Sequence, residues 1–283
     1  MSVFLMMLAV TACYTVTSLN DKYASSGVKF DGCQFTFLMC SSMTVFLIFS
    51  LPFQEIYFML TWQSFAAVLL IAVCKLLEFY MSVLVLRQLS AFELKAWLGI
   101  TLFASYFTDV IYGAALSVLK LICIAITVVG LILIVKSGGE KAIDYKKLVL
   151  PLMLYLAAKY GYGLVIKSFS KFASPIMQLL PALALIALVL LPKASPWKFI
   201  KRQPKGTAAV VLARIPNTIG MLIENAVISI SLASYSFIQP MILVSLFGIA
   251  IIRREQYSKL NLIGGIICIC GVILFQVAGN IYI

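Results

Sequence analysis

The sequence predicts an all-α polytopic membrane protein with ten transmembrane helices. Of its 283 residues, 63% are hydrophobic and only 11% are charged, whereas soluble domains average about 45–50% apolar and about 25% charged residues. Apolar runs of roughly 20 residues, long enough to cross a bilayer, occur ten times along the chain. We therefore expect a multi-pass protein of the cell membrane, or of an organelle membrane if the source is eukaryotic.

The ten predicted spans follow one another with little chain between them. Their residues are 3–19, 33–53, 63–86, 90–112, 115–136, 148–167, 174–192, 207–230, 232–252 and 259–281. The first run lacks a basic flank before it and an A-x-A site after it, so we expect a retained span rather than a signal peptide. Eight of the nine prolines lie after residue 150, which predicts more broken helices in the second half, including span nine at Pro240.

The lysines and arginines are divided unequally between the connections. The formal net charge is +12, but the basic residues are scattered over short connections, so we expect no nucleic-acid binding. Odd-numbered connections hold fifteen of the 22 lysines and arginines, and even-numbered connections hold three. The positive-inside rule therefore places the odd connections in the cytoplasm and both termini outside.

Three residue types restrict the chemistry that the chain can perform. There is no histidine, which removes Ser–His and Cys–His nucleophile pairs and most zinc or haem ligation. The seven cysteines form no C-x-x-C pair and lie mostly inside spans, so we interpret them as small packing residues. An aspartyl dyad lacks its second member, because Asp109 is the only aspartate well inside a span. We expect no enzyme, no cofactor and no metal site.

The two halves of the chain resemble each other at a fixed offset. Residues 90–133 align with 231–274 without a gap, an offset of 141. The identical pairs include Ser90 with Ser231, Ser117 with Ser258 and Gly130 with Gly271. The offset of 141 is half of the length, so each half would contain five of the ten spans. Because five is an odd number of membrane crossings, the two copies would have opposite orientations, and the alignment predicts two inverted five-helix repeats, 1–141 and 142–283. Many secondary transporters are built in this way, with the substrate site between the repeats near mid-membrane.

The second half carries residues that are typical of a known transporter group. The segment SYSFIQPMILVSLFGIAIIRREQYSKLNLIGGIICICGVILF has a proline early in span nine, Arg and Glu and then Ser at the turn, and a Gly-rich last span. It resembles the carboxy-terminal signature of EamA-type transporters in the drug/metabolite transporter superfamily. LNDKYASSG, which closes span one with Lys22, is similar to the first helix of that family. The resemblance implies ten helices in an inverted five-plus-five arrangement and transport of a small metabolite.

The chain departs from this family at two points. The family usually has Glu in the first-copy turn, where YGAALS has Ala114. The family also usually keeps its termini in the cytoplasm, against the charge bias, so the orientation stays open.

SAFELKAW, with Lys95, is similar to the phosphate-binding Lys-Ala segment of plastid sugar-phosphate translocators, but Ile238 and Gln239 do not match their second basic pair.

Polar residues inside the predicted spans are sorted by helix and by face. Residues three, four or seven positions apart share a helix face, and span eight has Arg214, Asn217 and Glu224 in one such stripe, with Asn225 beside it. An Arg or acidic side chain at mid-membrane costs roughly 2.5–3.5 kcal/mol, so these residues predict the wall of a cavity. The remaining stripes are Thr11, Tyr14 and Ser18 in span one, Lys75 and Glu78 in span three, Lys95, Tyr106 and Asp109 in span four, and Tyr155, Lys159 and Tyr162 in span six, with Gln239 in span nine.

These stripes predict a substrate site for secondary transport by alternating access. The predicted substrate-binding residues are Glu78, Tyr106, Tyr155, Lys159, Tyr162, Arg214, Asn217, Glu224, Asn225 and Gln239, with Lys75 and Lys95 as anion-binding or ion-pair residues. Lys159 and Arg214 would hold an anionic group, and Glu78 or Glu224 would hold an amine or a coupling proton. Lys75 with Glu78 also fits an internal ion pair, and Lys95 and Asp109 also fit snorkelling towards the interface.

The mixed charges inside the spans narrow the predicted substrate to a zwitterion, such as an amino acid, or an organic anion. The alternatives are a sugar-phosphate or nucleotide-sugar antiporter, a transporter of organic cations, and a membrane assembly subunit that transports nothing. The expected partners are the small-molecule substrate and the bilayer, with the protein as a monomer or homodimer. Substrate, coupling ion and direction of transport are not predicted by the sequence.

Overall fold

The computed structural model describes residues 3–23, 30–89, 94, 97–136, 145–252 and 259–280. The longer helices of these ranges are α1 (Val3–Lys22), α2 (Gly32–Ser50), α3 (Trp62–Gln88), α4 (Thr101–Ile111), α5 (Val118–Lys136), α6 (Tyr145–Phe169), α7 (Pro175–Ala194), α8 (Pro204–Ile230), α9 (Leu232–Ile252) and α10 (Lys259–Asn280). Short 3-10 turns follow α2 and precede α4, and the short helix Pro196–Arg202 joins α7 to α8. The described residues include no β-strand beyond one isolated bridge, Phe58 with Ala173.

Seven of the described helices are long and apolar enough to cross a membrane. They are α1, α2 with its 3-10 turn, α3, α6, α7, α8 and α9, and each corresponds to a predicted span. In α5 and α10 the apolar stretches are shorter, Val118–Leu133 and Ile263–Phe275. Predicted span four is described chiefly by α4, which has 11 residues. The chain is thus an all-helical protein suited to a membrane, and the count of ten spans stays a prediction.

Helix ends follow local capping chemistry. Asp31 precedes α2 and accepts a hydrogen bond from the backbone N–H of Gln34 at 2.7 Å, while Gln34 accepts one from the N–H of Asp31 at 3.4 Å. This reciprocal pair is a capping box, which satisfies donors that a helix N-terminus leaves open. At the start of α7, Pro175 occupies the first turn, where its missing N–H costs nothing.

The N-terminus of α9 is capped from another helix. Asp109 of α4 accepts hydrogen bonds from the N–H of Leu232 at 3.0 Å and of Ala233 at 2.9 Å, and from the Ser231 hydroxyl at 2.8 Å. Lys167 of α6 completes the cluster, with Nζ 2.5 Å from the Asp109 carboxylate. A carboxylate at a helix N-terminus satisfies open N–H groups and the helix dipole together. The buried Asp109 therefore ties α4, α6 and α9 to one another.

The predicted break of span nine is wrong. Pro240 lies inside α9, and this helix runs without interruption from Leu232 to Ile252. Of its apolar window, 78% is buried, the highest share among the candidate spans of the described residues. Because neighbouring helices surround α9, their packing holds the proline-containing turn in helical geometry, as they commonly do in membrane proteins.

The helices pack in a small set of extensive pairs. The largest contacts join α5 with α10, α3 with α6, α1 with α8, and α2 with α7. Smaller contacts place α9 beside α1 and α4, α3 beside α7, and α2 beside α8. Helices α1, α3, α6, α8 and α9 therefore surround a common region, and α5 and α10 form a separate pair.

Backbone meets backbone where α5 and α10 cross. A Cβ atom added to Gly130 would lie 2.6 Å from the backbone N of Cys268 and 2.7 Å from the carbonyl O of Gly264. A Cβ atom added to Gly271 would lie 2.8 Å from the backbone N of Thr127. No side chain fits at these distances, so the crossing requires glycine on both helices. Small residues at a helix crossing are the usual means of close approach in membranes.

We expect the Gly130→Ala variant to lose about 1–3 kcal/mol of stability, the usual cost of overpacking, because the neighbouring backbone of α10 cannot move aside as a flexible side chain would. The measurement is unfolding of the detergent-purified variants followed by circular dichroism. Gly248→Ala in α9 is the matched control, since an added Cβ there meets nothing within 4 Å. Equal stability of the two variants would contradict the proposed tight crossing.

Candidate functional site

A polar cavity lies between α1, α2, α3, α6, α8 and α9. Its volume is about 70 Å³, room for about five waters if each takes roughly 10–15 Å³ of such volume. The lining residues are Tyr14, Thr17, Ser18, Asp21, Met39, Lys75, Glu78, Phe79, Ser82, Tyr155, Lys159, Asn217, Met221 and Gln239. In this conformation the cavity holds a compact solute of a few heavy atoms at most.

Helical spacing brings these side chains to one place. On α1, Tyr14, Ser18 and Asp21 follow one another at four and three residues, and on α6 Tyr155 and Lys159 are four apart. Side chains at these spacings lie one above the other on a single helix face. Helices α1, α3 and α6 thus each contribute at least two polar side chains on one face, whereas α8 and α9 contribute one polar residue each, Asn217 and Gln239.

A chain of buried ion pairs forms part of the wall of the cavity. Lys159 Nζ lies 3.3 Å from Glu78 Oε1 and 3.3 Å from Glu224 Oε1, and Lys75 Nζ lies 2.8 Å from Glu78 Oε2. These four side chains are at most 9% exposed. The Tyr14 hydroxyl donates to Glu224 Oε2 at 2.5 Å. Two lysines balance two glutamates, so the charges satisfy one another without a counter-ion from solvent.

Aromatic residues enclose the lysines of this network. Lys75 Nζ lies 3.7 Å from the ring centroid of Tyr162, a cation–π distance. Tyr162 donates its hydroxyl to Asn225 Oδ1 at 2.6 Å, and Tyr235 donates to the backbone carbonyl of Lys159 at 3.0 Å. Tyr162 and Asn225 therefore lie behind the ion pairs and outside the lining of the cavity.

Arg214 acts on the cavity through a neighbour. Its side chain is fully buried and forms an ion pair with the carboxylate of Asp21, which lines the cavity. Its Nε also donates to the carbonyl of Val210 at 3.2 Å. Within the described residues, Nη1 of Arg214 is buried and has no hydrogen-bond partner. The pair joins α1 to α8, and Arg214 itself is not among the lining residues.

The predicted site residues take three kinds of position. Six line the cavity: Lys75, Glu78, Tyr155, Lys159, Asn217 and Gln239. Glu224, Tyr162, Asn225 and Arg214 form the layer behind it. Tyr106 lies elsewhere, since its hydroxyl accepts from the N–H of Ser117 at 2.7 Å and so secures the connection between α4 and α5. Lys95 lies outside the described residues.

Three residues of this region are absent from the predicted site. Tyr14 holds Glu224, Asp21 holds Arg214, and Tyr235 holds the backbone of α6 at Lys159. The stripe of Thr11, Tyr14 and Ser18 in the sequence contained a usable signal for Tyr14, and Asp21 continues this face one turn later. Tyr235 had a similar signal, because it lies between Ser234 and Ser236 and four residues before Gln239, on the same face of α9.

The comparisons with known proteins show no family for this chain. No protein-family model matches the chain and a search of curated proteins finds no significant match, so the similarity to EamA-type transporters stays a prediction from the sequence.

Proposed function

We propose that the protein is a secondary transporter that moves a small polar metabolite across a membrane by alternating access. The observation that carries this proposal is the polar cavity, which is lined by helices from both halves of the chain and has balanced, buried ion pairs in its wall. Ionisable groups inside the membrane are costly, so they are usually paired with one another and mark a substrate or ion pathway. A cavity beside them gives a solute access to groups that can bind charge.

Charge balance favours a zwitterion, such as an amino acid, as the substrate. Lys75 and Lys159 are already matched by Glu78 and Glu224. An ammonium group that enters at Glu78 and a carboxylate that enters at Lys159 would replace one internal ion pair by two pairs with the substrate. No buried charge then remains unpaired, which is the costly outcome. A divalent sugar phosphate would bring two negative charges to a cavity without surplus cations in its described lining.

The proposal includes ten spans in two inverted repeats, 1–141 and 142–283, as in EamA-type transporters of the drug/metabolite transporter superfamily. If each helix corresponds to the one five positions later, the pair α1–α8 corresponds to α6–α3, and α2–α8 corresponds to α7–α3. Both members of each correspondence are in contact. The pairs α2–α7, α4–α9 and α5–α10 each correspond to themselves and are also in contact.

The glycine crossing has the same two-fold character. Gly130 and Gly271 occupy equivalent positions in the alignment of the halves. A Cβ atom added to Gly130 would meet Gly264 and Cys268, which lie seven and three positions before Gly271. A Cβ atom added to Gly271 would meet Cys123 and Thr127, which lie seven and three positions before Gly130. An axis that relates the two halves between α5 and α10 produces this exchange of contacts. The agreement supports the repeat.

Uptake into proteoliposomes tests the proposed activity. A thermal-shift screen against amino acids, amines, organic anions, sugar phosphates and nucleotide sugars selects the solutes, since a ligand stabilises the state that it binds. We expect uptake of an amino acid, and we expect Glu78→Gln to lower it at least about tenfold, the effect of 1.4 kcal/mol. Lys198→Gln, at an exposed site in the short helix Pro196–Arg202, is the control. Unchanged uptake by folded Glu78→Gln protein would remove this carboxylate from the site, and uptake of no solute in the panel would count against transport.

A further inference from the structure

A second polar pocket lies at the end of the bundle where the even-numbered connections meet. Its volume is about 350 Å³, and its wall is formed by the last turns of α8, the connection from α2 to α3, and the start of α7. The residues that matter here are Glu55, Tyr57, Ser174, Asn225, Ala226 and Ser229. None of these lines the central cavity.

Hydrogen bonds between two connections hold this pocket in shape. The N–H of Met59 donates to the carbonyl of Phe172 at 2.9 Å, and the N–H of Ser174 donates to the carbonyl of Tyr57 at 2.9 Å. The Tyr57 hydroxyl also donates to the carbonyl of Ser170. These bonds fix the α2–α3 connection to the α6–α7 connection. The pocket is therefore formed before any ligand arrives.

Only a thin layer separates the second pocket from the central ion pairs. Asn225 lines the pocket, and its Oδ1 accepts the hydrogen bond from Tyr162. The Tyr162 ring in turn lies 3.7 Å from Lys75 Nζ, which lines the central cavity. Asn225 and Tyr162 thus link the wall of the second pocket to the wall of the central cavity.

Two residues that line the second pocket each have a buried polar atom without a hydrogen-bond partner in the described part of the chain. In the described part of the chain, neither Asn225 Nδ2 nor Ser174 Oγ forms a hydrogen bond, although each residue is only 2% exposed. A buried donor left without an acceptor costs about 1–3 kcal/mol. The amide N–H₂ can only donate, and the hydroxyl can donate or accept. Both atoms are matched by the oxygen atoms of a carboxylate.

The charge at the rim of this pocket suits a ligand that carries an ammonium group in addition to a carboxylate. Glu55 is exposed and is the one charged residue among the described residues that line the pocket. A carboxylate at the rim attracts an ammonium group and repels a free anion. The pocket therefore offers buried donors to a carboxylate and an exposed acceptor to an amine.

We propose that this pocket is an outer binding site for a small α-amino-acid zwitterion, linked to the wall of the central cavity through Asn225 and Tyr162. Asn225 and Ser174 hold the carboxylate, and Glu55 holds the ammonium group. The role of this pocket as a site that substrate occupies before it reaches the central cavity rests on the proposed transport function. Its chemistry stands on the residues of the pocket itself.

Thiol protection tests the outer site. The Ser229→Cys variant in proteoliposomes is treated with a membrane-impermeant methanethiosulfonate, and the parent protein supplies the background from its own cysteines, none of which lines the pocket. Glycine is the probe. Methylammonium and acetate are the half-ligand controls, because each carries only one of the two charges of glycine. At about ten times its Kd, a single-site ligand lowers the modification rate about tenfold. We expect protection by glycine and little protection by either half ligand.

Substitutions in the pocket give the decisive comparison. Glu55→Gln changes an exposed side chain, and Ser174→Ala removes one hydroxyl, so both are expected to fold. Added to Ser229→Cys, each should weaken protection by glycine at least about tenfold in concentration, the effect of one charged or buried contact of 1.4 kcal/mol. Protection that is absent, or that is unchanged in both variants, overturns the site. Uptake measured on the same vesicles separates the two proposals: protection without uptake keeps the site and counts against transport, and uptake without protection overturns the site alone.

Discussion

The Lys159→Met variant is expected to lose about 3–5 kcal/mol of stability, the usual cost of breaking a buried ion pair from one side. Lys159 Nζ is 3.3 Å from both Glu78 and Glu224, and among the described residues it is the only cation within salt-bridge distance of Glu224. Its removal leaves the fully buried Glu224 with the Tyr14 hydroxyl as its remaining partner. Unfolding in detergent, followed by circular dichroism, measures the loss.

A double variant separates the charge effect from lost packing. Adding Glu224→Gln to Lys159→Met removes the uncompensated carboxylate, and it should restore a large part of the stability although it changes a second buried residue. Recovery of this kind is the signature of coupled neighbours. Lys193→Met, at an exposed site near the end of α7, is the control and should unfold like the parent. If the double variant is less stable than Lys159→Met by the full cost of Glu224→Gln alone, the two residues are not coupled.

The Asp109→Ala variant is expected to lose about 2–4 kcal/mol, since each buried donor left open costs about 1–3 kcal/mol. The substitution leaves the N–H groups of Leu232 and Ala233 without their acceptor, and it leaves Lys167 without its carboxylate. It also removes a negative charge from the N-terminus of α9, where it is favourable. The same unfolding measurement applies, with hydrogen exchange at the first turn of α9 as a local readout.

Asp109→Asn is the matched control for this cap. Asparagine keeps one oxygen acceptor and the size of the side chain, and it caps helices about as well as aspartate does. We expect a smaller loss than in Asp109→Ala, with the remainder due to Lys167. Equal losses in the two variants would show that the ion pair with Lys167, and not the capping of α9, accounts for the role of Asp109.

Helical periodicity predicted the residues of the candidate site better than their partners. The spacing of Lys75 and Glu78 on α3 indicates that they share a face, and the structure places both in the cavity lining. Periodicity describes one helix at a time, however, and it contains no information on which helices face each other. The ion pair between Asp21 and Arg214 joins residues 193 positions apart. Such a partnership becomes visible only after α1 and α8 are packed together.

The sequence also could not distinguish polar residues that bind a solute from those that form hydrogen bonds with open backbone groups of a neighbouring segment. Tyr106 and Asp109 lie on the same face of α4 and fit the stripe pattern, yet they serve the α4–α5 connection and the start of α9. Open backbone groups occur at every helix end, and a side chain from another helix satisfies them as well as a local cap does. A polar residue near the end of a span is therefore ambiguous in sequence. Pro240 shows the related limit, because the packing around α9 decides whether a proline interrupts a helix.

The close crossing of α5 and α10 determines which parts of the molecule can move separately. At Gly130 and Gly271 the nearest atoms of the opposite helix are mainly backbone atoms, and the one side-chain atom among them is the Thr127 hydroxyl oxygen. Interfaces of this kind move as rigid bodies or come apart. Helix α5 belongs to the first half of the chain and α10 to the second, so the two halves share one inseparable pair of helices. We therefore expect α5 and α10 to stay together as one rigid unit in any rearrangement of the other helices.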